Sequence, residues 1–362
     1  MVIAPKLRNL ALSMAVGIAG VLILSSLQSV AQAAQVKVGA ILSIEGRFSS
    51  LGVPEQEGIE LAIAQINKSG GIGGKQIGLV VYDDGGDQAK AAELANRLIF
   101  QDKVPVVFGP SITPTAQMVS PLLEQNGVVE VGFVAQDYLW RGTKYIFMSL
   151  PSDAVNAEAM VLYAKNKLRA KTIAITYSNV PYGVNGDKFI NQMAQRHGVK
   201  VVAAEKWGDT DIDFTPQAGR LKQANADAIL VWGSCAPNDA QFVKAVRDAG
   251  VTAPFIGNLC MSSPQVPQIA GKTAEGMVSF SVLDYGHPDA ETKAFLQAFK
   301  EKFGQTPIPF AATSYDGVRL WAKAVERANG KTDPASVAAA MIGLKYKGVS
   351  GEFDITKDNH NG

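Results

Sequence analysis

Short apolar runs alternate with amphipathic stretches along most of this chain. The apolar runs are rich in valine and isoleucine, and residues 36–42 are an example. The stretches between them place apolar residues three and four positions apart, as Ile59, Ala62, Ile63 and Ile66 do within residues 54–68. That spacing is typical of a helix with one buried face, and continuous apolar runs are typical of strands buried on both faces. The pattern therefore predicts parallel sheets covered by helices.

The alternation occurs in two series, separated by an irregular stretch that contains Pro151. The first series predicts strands at residues 36–42, 77–82, 104–108 and 128–131, with helices at 54–68, 88–101 and 114–125. The second predicts strands at 172–176, 199–204, 228–232, 254–257 and 276–280, with helices at 156–167, 186–197, 215–224 and 238–249. Two amphipathic helices follow, at 289–303 and 311–328. Repeated strand–helix–strand units of this kind predict an α/β protein with two doubly wound lobes.

The first residues differ from the rest of the chain. Lys6 and Arg8 precede an apolar run at residues 10–24, and the segment ends on Ala31-Gln32-Ala33. A basic start, an apolar centre and a small-x-small ending are the three parts of a secretory signal peptide, so residues 1–34 are predicted to be one. No later stretch is long and apolar enough to span a bilayer. We therefore expect an exported, periplasmic protein, and no lipid anchor, because neither cysteine stands at the cleavage site.

The charge of the chain argues against nucleic acid and membrane partners. It has 34 basic and 33 acidic residues, and removing Lys6 and Arg8 with the predicted signal peptide leaves 32 against 33, a net charge of −1. A near-neutral chain has no strong attraction to polyanions or anionic lipid. The remaining length of roughly 328 residues exceeds the usual size of a single core and favours two lobes. We expect a monomer.

The only two cysteines, Cys235 and Cys260, each follow a predicted strand of the second series. An exported protein meets oxidising conditions, in which such a pair forms a disulfide if its Cα atoms are close enough. The sequence does not give that distance. A Cys235–Cys260 bridge and two separate half-buried thiols therefore both remain open.

Motifs of enzymatic or metal chemistry are lacking. The glycine run at residues 70–74 follows a predicted helix and has no Gly-Lys-Ser/Thr ending, so it predicts a turn and not a phosphate loop. No Gly-x-Ser-x-Gly sequence is present, and the three histidines lack the short ligand spacing of a zinc site. At Asp83 and Asp84, a turn followed by a helix N-cap at Asp87 is favoured over a cation site. We therefore expect no catalytic residues, no metal and no cofactor.

The loop after the third predicted strand has the features of an anion site. It runs Gly109-Pro110-Ser111-Ile112-Thr113-Pro114 into the next predicted helix. In open α/β sheets, ligands collect at the carboxyl ends of strands, where helix N-termini present backbone N–H groups. Thr113 fits the N-cap position, with Pro114 at the first helical position. The spacing leaves open whether Thr113 only caps its helix or also holds a ligand carboxylate.

Several short sequences together resemble the periplasmic leucine/isoleucine/valine-binding proteins, the substrate receptors of branched-chain amino-acid-type ABC importers. The resemblance covers nearly the whole chain after residue 34 and depends on the order and spacing of its pieces. These pieces are Val38-Gly39-Ala40, Gly58-Ile59-Glu60-Leu61-Ala62, Ile66-Asn67, Gly70-Gly71-Ile72, Tyr82-Asp83-Asp84, Val107-Phe108-Gly109, Pro181-Tyr182-Gly183 and Ala274-Glu275-Gly276.

The resemblance implies a type I periplasmic binding protein, in which two Rossmann-like lobes are joined by three crossovers and close on a ligand by a hinge motion. It implies a first lobe of residues 35–150 and about 284–341, and a second lobe of residues 151–283 and about 342–362. The implied partners are a small-molecule ligand and an inner-membrane ABC permease. The implied activity is binding without catalysis.

The resemblance also implies ligand-binding positions. The family holds the carboxylate of its ligand at the position of Thr113, and we include the neighbouring Ile112 in the site. A second contact is implied on the loop after the next strand, at Val134 and Gln136, where amino-acid binders usually have Ala and Thr. Tyr182 matches an aromatic residue of the second lobe.

The acid that pairs with the ammonium group of an amino-acid ligand is missing from its expected position. After the strand at residues 254–257 the chain reads Asn258-Leu259-Cys260. A buried ammonium without a carboxylate partner costs several kcal/mol, on the order of a thousandfold in affinity. Phe48, Leu51 and Leu259 also make the expected cleft apolar. The sequence therefore predicts a carboxylate or neutral organic ligand with an apolar or aromatic body.

Alternatives remain open at this point. Another acid, such as Asp153 near the hinge, would restore a branched-chain or other hydrophobic amino acid as the ligand. Arg47 is either a carboxylate clamp or a solvated loop residue. The same fold also serves exported ligand sensors of the amide-receptor type. Finally, the chain stops where the family continues into a last strand of the second lobe, so we expect a shortened sequence.

Overall fold

The computed structural model describes residues 35–208 and 210–361. The predicted signal peptide at residues 1–34 lies outside them. Within this described part, none of the helices has the length and apolar content needed to cross a membrane. The chain from Val36 onward forms one compact unit that contains two five-stranded sheets.

The first sheet contains the strands of the first predicted series and one more. In chain order they are β1 (Gln35–Leu42), β2 (Gln76–Asp83), β3 (Val106–Phe108), β4 (Val129–Gly132) and β5 (Ile146–Met148). They lie side by side in the order β2-β1-β3-β4-β5. β1 and β3 pair in parallel, with Gly39 opposite Val107, and β4 pairs in parallel with both β3 and β5. Every residue of β3, β4 and β5 is buried, as expected for strands covered on both faces.

The second sheet contains the strands of the second series. They are β6 (Thr172–Ser178), β7 (Lys200–Trp207), β8 (Ala228–Trp232), β9 (Phe255–Gly257) and β10 (Val278–Ser279). They lie in the order β10-β9-β8-β6-β7 and pair in parallel. The strand order thus reverses between β1 and β3 in one sheet and between β6 and β8 in the other. Ligands of open α/β sheets bind at the carboxyl ends of strands beside such a reversal.

Helices cover both faces of the sheets, and their apolar sides form separate core clusters on each face. They are α1 (Ser49–Lys68), α2 (Gln88–Arg97), α3 (Thr113–Gln125), α4 (Asp137–Trp140), α5 (Asp153–Asn166), α6 (Pro181–His197), α7 (Thr215–Ala224), α8 (Pro237–Asp248), α9 (Gln265–Ala270), α10 (Ala290–Phe303), α11 (Pro309–Arg327) and α12 (Pro334–Met341). Single 3-10 turns lie at Gly46–Phe48, Leu259–Ser262 and Gly271–Ala274, and α2 ends in a π turn at Leu98–Asp102. An antiparallel ribbon of β11 (Lys345–Lys347) and β12 (Glu352–Asp354) follows α12.

The predicted α/β architecture with two doubly wound sheets is confirmed. So is the N-cap at Asp87, whose side chain accepts a hydrogen bond from the N–H of Lys90 at 2.7 Å. The start of α1 was predicted five residues too late, because Pro54 lies inside the helix, where it removes one backbone hydrogen bond without ending it. The elements β5, α4, α9, α12 and the ribbon were not predicted, because most of them are too short to show a period.

The described chain passes between the lobes twice, at residues 149–152 and 280–282. The resemblance implied three crossovers, and residues 35–208 and 210–361 show two. After the second crossover the chain stays on the first lobe, because Leu283, Phe295, Phe353 and Ile355 belong to the same apolar core as β1. The expectation that residues from about 342 onward join the second lobe is therefore wrong.

The edge of β5 explains where the last described residues lie. An edge strand carries unpaired N–H and C=O groups. The N–H of Met148 donates to the carbonyl of His360 at 2.9 Å, and Nδ1 of His360 lies 2.9 Å from the carbonyl oxygen of Ile146. The His360 ring also stacks on Phe147, with 4.7 Å between ring centroids, and on Trp140 at 5.7 Å. The segment therefore covers this edge of the first sheet.

Glu130 is a fully buried carboxyl on β4 in the first sheet. Ser120 Oγ lies 3.0 Å from its Oε1, and its Oε2 has no hydrogen-bond partner among the described residues. Burial raises the pKa of Glu130 from 4.5 to about 8, so the folded protein favours the protonated form. The stability that this group contributes is therefore complete below a pH of about 4.5 and is lost as the pH rises through 8.

Glu130→Gln should remove this pH dependence. At pH 9 the variant should exceed the wild type by about 1 kcal/mol or more in free energy of unfolding, because a buried amide needs no counterion. At pH 5 the two proteins should differ little. Denaturant unfolding at both pH values measures the difference, with the exposed Glu93→Gln as a control that changes neither value. Equal differences at pH 5 and pH 9 would contradict the expectation.

Candidate ligand-binding site

A cavity of about 180 Å³ lies between the lobes, at the carboxyl ends of their strands. A cavity of roughly 150 Å³ is enough to bind benzene, so this one accommodates a single small organic molecule. The loops that follow β1 and β3 line it from the first lobe, and the loops that follow β6 and β8 line it from the second. The cavity therefore lies where the strand order of both sheets reverses.

The structure brings seven of the nine expected ligand-binding residues together around this cavity. They are Phe48, Leu51, Ile112, Thr113, Val134, Tyr182 and Leu259. Gln136 and Asn258 do not line it, although both are completely buried. Arg47, for which the sequence left two interpretations open, does line it.

One end of the cavity is formed by the start of α3. Ile112 is the N-cap residue and Thr113 is the first residue of the helix, so the prediction of Thr113 as N-cap is wrong. This arrangement puts Pro114 in the first turn, where no N–H group is needed. The N–H groups of Thr113 and Thr115 have no acceptor within their own helix, and the Thr113 hydroxyl is not used as a cap. This end therefore presents hydrogen-bond donors that suit an anion.

Ser111 connects the same end of the cavity to a buried carboxyl. Its Oγ accepts a hydrogen bond from the N–H of Ser43 at 3.1 Å and is also hydrogen-bonded to Oε2 of Glu55. The Ser43 hydroxyl in turn donates to Oδ1 of Asp84 at 2.6 Å. Both Glu55 and Asp84 are completely buried, and burial raises the pKa of Glu55 to about 8 and also raises that of Asp84.

The middle of the cavity is apolar. Phe48, Leu51 and Ile112 of the first lobe pack in one cluster with Leu259 of the second. Phe48 depends on a glycine beside it, since a Cβ at Gly86 would lie 2.8 Å from the Phe48 ring. Gly86 also has a φ of +80°, a conformation that glycine adopts without strain. The cavity thus has a donor-rich end and a hydrophobic body.

The second lobe contributes a disulfide to the cavity wall. Cys235 and Cys260 are bonded, with 4.6 Å between their Cα atoms, which decides the question that the sequence left open. The bond joins the loop after β8 to the 3-10 turn after β9, and Leu259 lies in that turn beside it. Ser234 is buried next to Cys235, and its Oγ has no hydrogen-bond partner among the described residues. A polar group of a ligand would satisfy it.

Asn258 does not line the cavity but is hydrogen-bonded to Tyr182, which does. Its Nδ2 donates to Oη of Tyr182 at 3.2 Å and to the carbonyl of Gly233 at 2.9 Å. Its Oδ1 accepts from the N–H of Gly233 at 3.2 Å. Asn258 therefore ties the loop after β8 to the end of β9 and orients the Tyr182 hydroxyl.

Gln136 joins the lobes and does not face the cavity. Its Nε2 donates to Oδ2 of Asp153 at 2.5 Å, and its Oε1 accepts from Nδ2 of Asn185 at 3.0 Å. Asn185 belongs to α6 of the second lobe and also donates to Asp153, at 3.0 Å. A further hydrogen bond between the lobes runs from Ser50 Oγ to the carbonyl of Cys235 at 3.1 Å. The two lobes are therefore in direct contact around the cavity.

The charges around the cavity suit an anion. Within the described residues, no aspartate or glutamate lines it. Asp153, the alternative partner for an ammonium group, accepts hydrogen bonds from Gln136 and Asn185. Burial raises the pKa of Asp153 to about 8. It is therefore mostly neutral near pH 7. No cluster of three or more His, Cys, Asp or Glu side chains in residues 35–208 and 210–361 could hold a metal ion.

Several cavity residues were not predicted from the sequence, among them Ser111, Ser234 and Phe310. Ser111 lies in the loop already singled out for Thr113, and Ser234 comes two residues after the end of a predicted strand. Their positions at the carboxyl ends of strands were a usable signal. Phe310 gave none, because it reaches the cavity from the start of α11, late in the chain.

Comparison with known protein families agrees with this geometry. The profile of the periplasmic binding protein family matches residues 35–362. The leucine-, isoleucine-, valine-, threonine-, and alanine-binding protein of Pseudomonas aeruginosa is 28% identical over 334 residues, which are 89% of this chain and 88% of that protein.

Two solved structures with bound ligands are also similar. A solute binding protein of an ABC transporter from Rhodopseudomonas palustris HaA2, in complex with p-hydroxybenzoic acid, is 28% identical, with a TM-score of 0.82 and 90% of each chain covered. A branched-chain amino acid transporter substrate binding protein from Streptococcus pneumoniae, in complex with isoleucine, is 28% identical, with a TM-score of 0.82, covering 90% of this chain and 93% of that chain. One relative thus holds an aromatic carboxylate and the other an amino acid.

Proposed function

Because this chain belongs to the periplasmic binding protein family, whose profile matches residues 35–362, we propose that it is the substrate-binding protein of an ABC importer. Its ligand is a small organic acid with an apolar or aromatic body, bound in the cavity between the lobes. The protein holds this ligand unchanged and delivers it to a permease in the inner membrane. Export to the periplasm through cleavage of residues 1–34, and a monomeric state, belong to the same proposal.

One observation favours an acid without an amine. The cavity has N–H donors at the Thr113 end and Arg47 in its wall, whereas none of its described lining residues is a carboxylate. An amino acid would bring an ammonium group that has no partner there, which costs several kcal/mol. An amine-free acid has only its carboxylate to satisfy.

The cavity also favours one orientation of the ligand. The carboxylate lies at the start of α3, and the apolar body lies between Ile112 and Leu259. The far end then faces Ser234, whose hydroxyl has no partner among the described residues, and Tyr182. p-Hydroxybenzoic acid, which the relative from Rhodopseudomonas palustris binds, has a carboxylate and a hydroxyl at opposite ends of one ring. Since the contacts come from both lobes, such a ligand stabilises the closed arrangement that a permease recognises.

A thermal-shift series tests this function, with 4-hydroxybenzoate, benzoate and 4-methylpentanoate as ligands. A ligand at a hundred times its Kd adds about 2.7 kcal/mol to the free energy of unfolding. That raises the unfolding temperature by a few degrees. We expect at least one acid to produce the shift and to be recovered unchanged from the protein. Turnover of the acid, or no shift with any of the three, would contradict the proposal.

Ser234→Ala is the matched variant for the orientation. It should weaken binding of 4-hydroxybenzoate by about tenfold, the worth of one hydrogen bond, and leave benzoate unaffected. Equal loss for both acids would mean that the ligand hydroxyl does not reach Ser234.

A further inference from the structure

The hydroxyl of Ser111 lies at the cavity wall and is hydrogen-bonded to two protein groups. It lines the cavity, and behind it the N–H of Ser43 donates to its Oγ at 3.1 Å, while Oε2 of Glu55 is hydrogen-bonded to the same atom. A serine hydroxyl has one hydrogen and two lone pairs. Ser43 occupies one lone pair. The contact with Glu55 therefore uses either the hydrogen of Ser111 or its second lone pair.

The protonation state of Glu55 decides whether the Ser111 hydroxyl offers the cavity a hydrogen-bond acceptor or a donor. An ionised Glu55 can only accept hydrogen bonds. Ser111 must then donate its hydrogen to Glu55, and a lone pair of the Ser111 oxygen points towards the ligand. A protonated Glu55 donates to Ser111, and the hydrogen of Ser111 is then released towards the cavity. Only this second arrangement adds a donor next to the N–H of Thr113.

We propose that Glu55 is a positioning residue whose proton turns the Ser111 hydroxyl into a donor for the carboxylate of the ligand. This inference rests on the proposed function, because it concerns how the same site binds an acid. Glu55 itself does not touch the ligand. It decides whether the end of the cavity attracts or repels an anion.

The surroundings of Glu55 favour its protonated form. The side chain is completely buried, and its Oε1 has no hydrogen-bond partner among the described residues. Burial is the main reason that its pKa rises to about 8. The hydrogen bond with Ser111 lowers this pKa and the nearby Asp84 raises it, but burial outweighs the contact with Ser111. A bound carboxylate at Ser111 adds one more negative charge and favours the proton further.

Other titratable groups near Glu55 are few. Asp83 is the last residue of β2 and directly precedes Asp84, and Arg47 comes from the turn before α1. Helix α11 packs against α1 close to Ala311, and residues 309–314 contain no ionisable side chain. Two further buried carboxyls lie close to the cavity. Asp153 has Gln136 and Asn185 as partners, and Oδ2 of Asp239 accepts from the N–H of Ala236 at 3.2 Å.

Binding of an acid and protonation of Glu55 are therefore coupled, and the coupling is reciprocal. Affinity for an acid should fall by about 10- to 100-fold as the pH rises past the pKa of Glu55, because one charge-assisted hydrogen bond is lost. Above that pH, binding should take up as much as one proton. Below it, binding should take up none.

Isothermal titration calorimetry tests this, with benzoate and 4-methylpentanoate as probes between pH 6 and pH 9.5. Neither acid has a second group that titrates in this range. Repeating each titration in buffers of different ionisation enthalpy gives the number of protons taken up. The wild type should lose affinity and take up a proton at high pH. Glu55→Gln should keep the affinity of the wild type at pH 6 throughout, because its amide N–H donates to Ser111 at every pH.

Three variants separate the positioning role from other effects. Ser111→Ala should bind weakly at all pH values, without proton uptake. Glu130→Gln removes a carboxyl of the same lobe that is equally buried but is hydrogen-bonded to Ser120 instead of Ser111, so it should keep the pH profile of the wild type. Asp153→Asn should keep that profile too.

The outcomes distinguish this inference from the proposed function. Acid binding that does not change between pH 6 and pH 9.5, or a profile that persists in Glu55→Gln, overturns the role of Glu55 and leaves the proposed function standing. If neither acid binds, the proposed function fails, and the proton on Glu55 is then read directly by infrared difference spectroscopy. The wild type at pH 7 should show the C=O band of a protonated carboxyl that Glu55→Gln lacks. Absence of that band overturns the inference.

Discussion

Phenylalanine should bind to this protein about a thousandfold more weakly than 3-phenylpropionate, and leucine about a thousandfold more weakly than 4-methylpentanoate. Each pair has the same body and carboxylate and differs only in the amine. Within the described residues the cavity wall contains no aspartate or glutamate to hold an ammonium group, and Leu259 stands where the family's acid is expected. Burying an unpaired cation costs several kcal/mol, and each 1.4 kcal/mol is a factor of ten. Calorimetric titration of the two pairs measures the ratio.

Leu259→Glu should reverse part of this preference. The new carboxylate would lie in the cavity wall, on the side of the second lobe, and would attract the amine of leucine while repelling the free acid. Leu259→Gln is the control, because it has the same shape without the charge. We expect the ratio of leucine to 4-methylpentanoate affinity to be at least about tenfold higher in Leu259→Glu than in Leu259→Gln. If wild-type protein binds leucine tightly and Asp153→Asn abolishes that binding, Asp153 supplies the missing charge and the ligand is an amino acid.

Removing the Cys235–Cys260 disulfide should lower the free energy of unfolding by about 3.5 kcal/mol, the loop-closure value for a crosslink over some 25 residues. Binding should weaken as well, because the bond holds the loop of Ser234 against the turn of Leu259 in the cavity wall. Denaturant unfolding of Cys235→Ala/Cys260→Ala, with and without an acid ligand, measures both effects.

Reduction of the wild type provides the control for this double substitution. Dithiothreitol should bring the wild type close to the stability of the double variant and should leave the double variant unchanged. A double variant as stable as the oxidised wild type would show that the crosslink contributes nothing to the folded state.

The periodicity of the sequence was enough for the architecture of the two sheets. Helix and strand periods depend on neighbours within one or two turns, so strands such as β8 and helices such as α7 were predicted at their observed bounds. The repeated strand–helix alternation then limited the topology to doubly wound sheets. Even Asp87 could be recognised as an N-cap, because its acceptor and donor are three residues apart.

The roles of the site residues depended on partners that are far apart in the chain. Gln136 and Asn258 were expected in the cavity from their positions alone. In the structure the amide of Gln136 is hydrogen-bonded to Asp153 and Asn185. The amide of Asn258 is hydrogen-bonded to Tyr182 and Gly233. No local pattern encodes such pairings. The position of His360 on the edge of β5 is of the same kind, since 214 residues separate it from Ile146.

The sequence by itself therefore determined the fold class and the two series of strands, because both follow from local spacing and residue type. The apolar character of the cavity was expected only through the family resemblance, which placed Phe48, Leu51 and Leu259 in the cleft. Only the tertiary structure decided which polar groups are free for a ligand. Ser111 and Ser43 are 68 residues apart, and Ser50 and Cys235 are 185 apart. A polar side chain binds a ligand only with the hydrogen-bonding capacity that its neighbours leave unused, and those neighbours are brought together by folding.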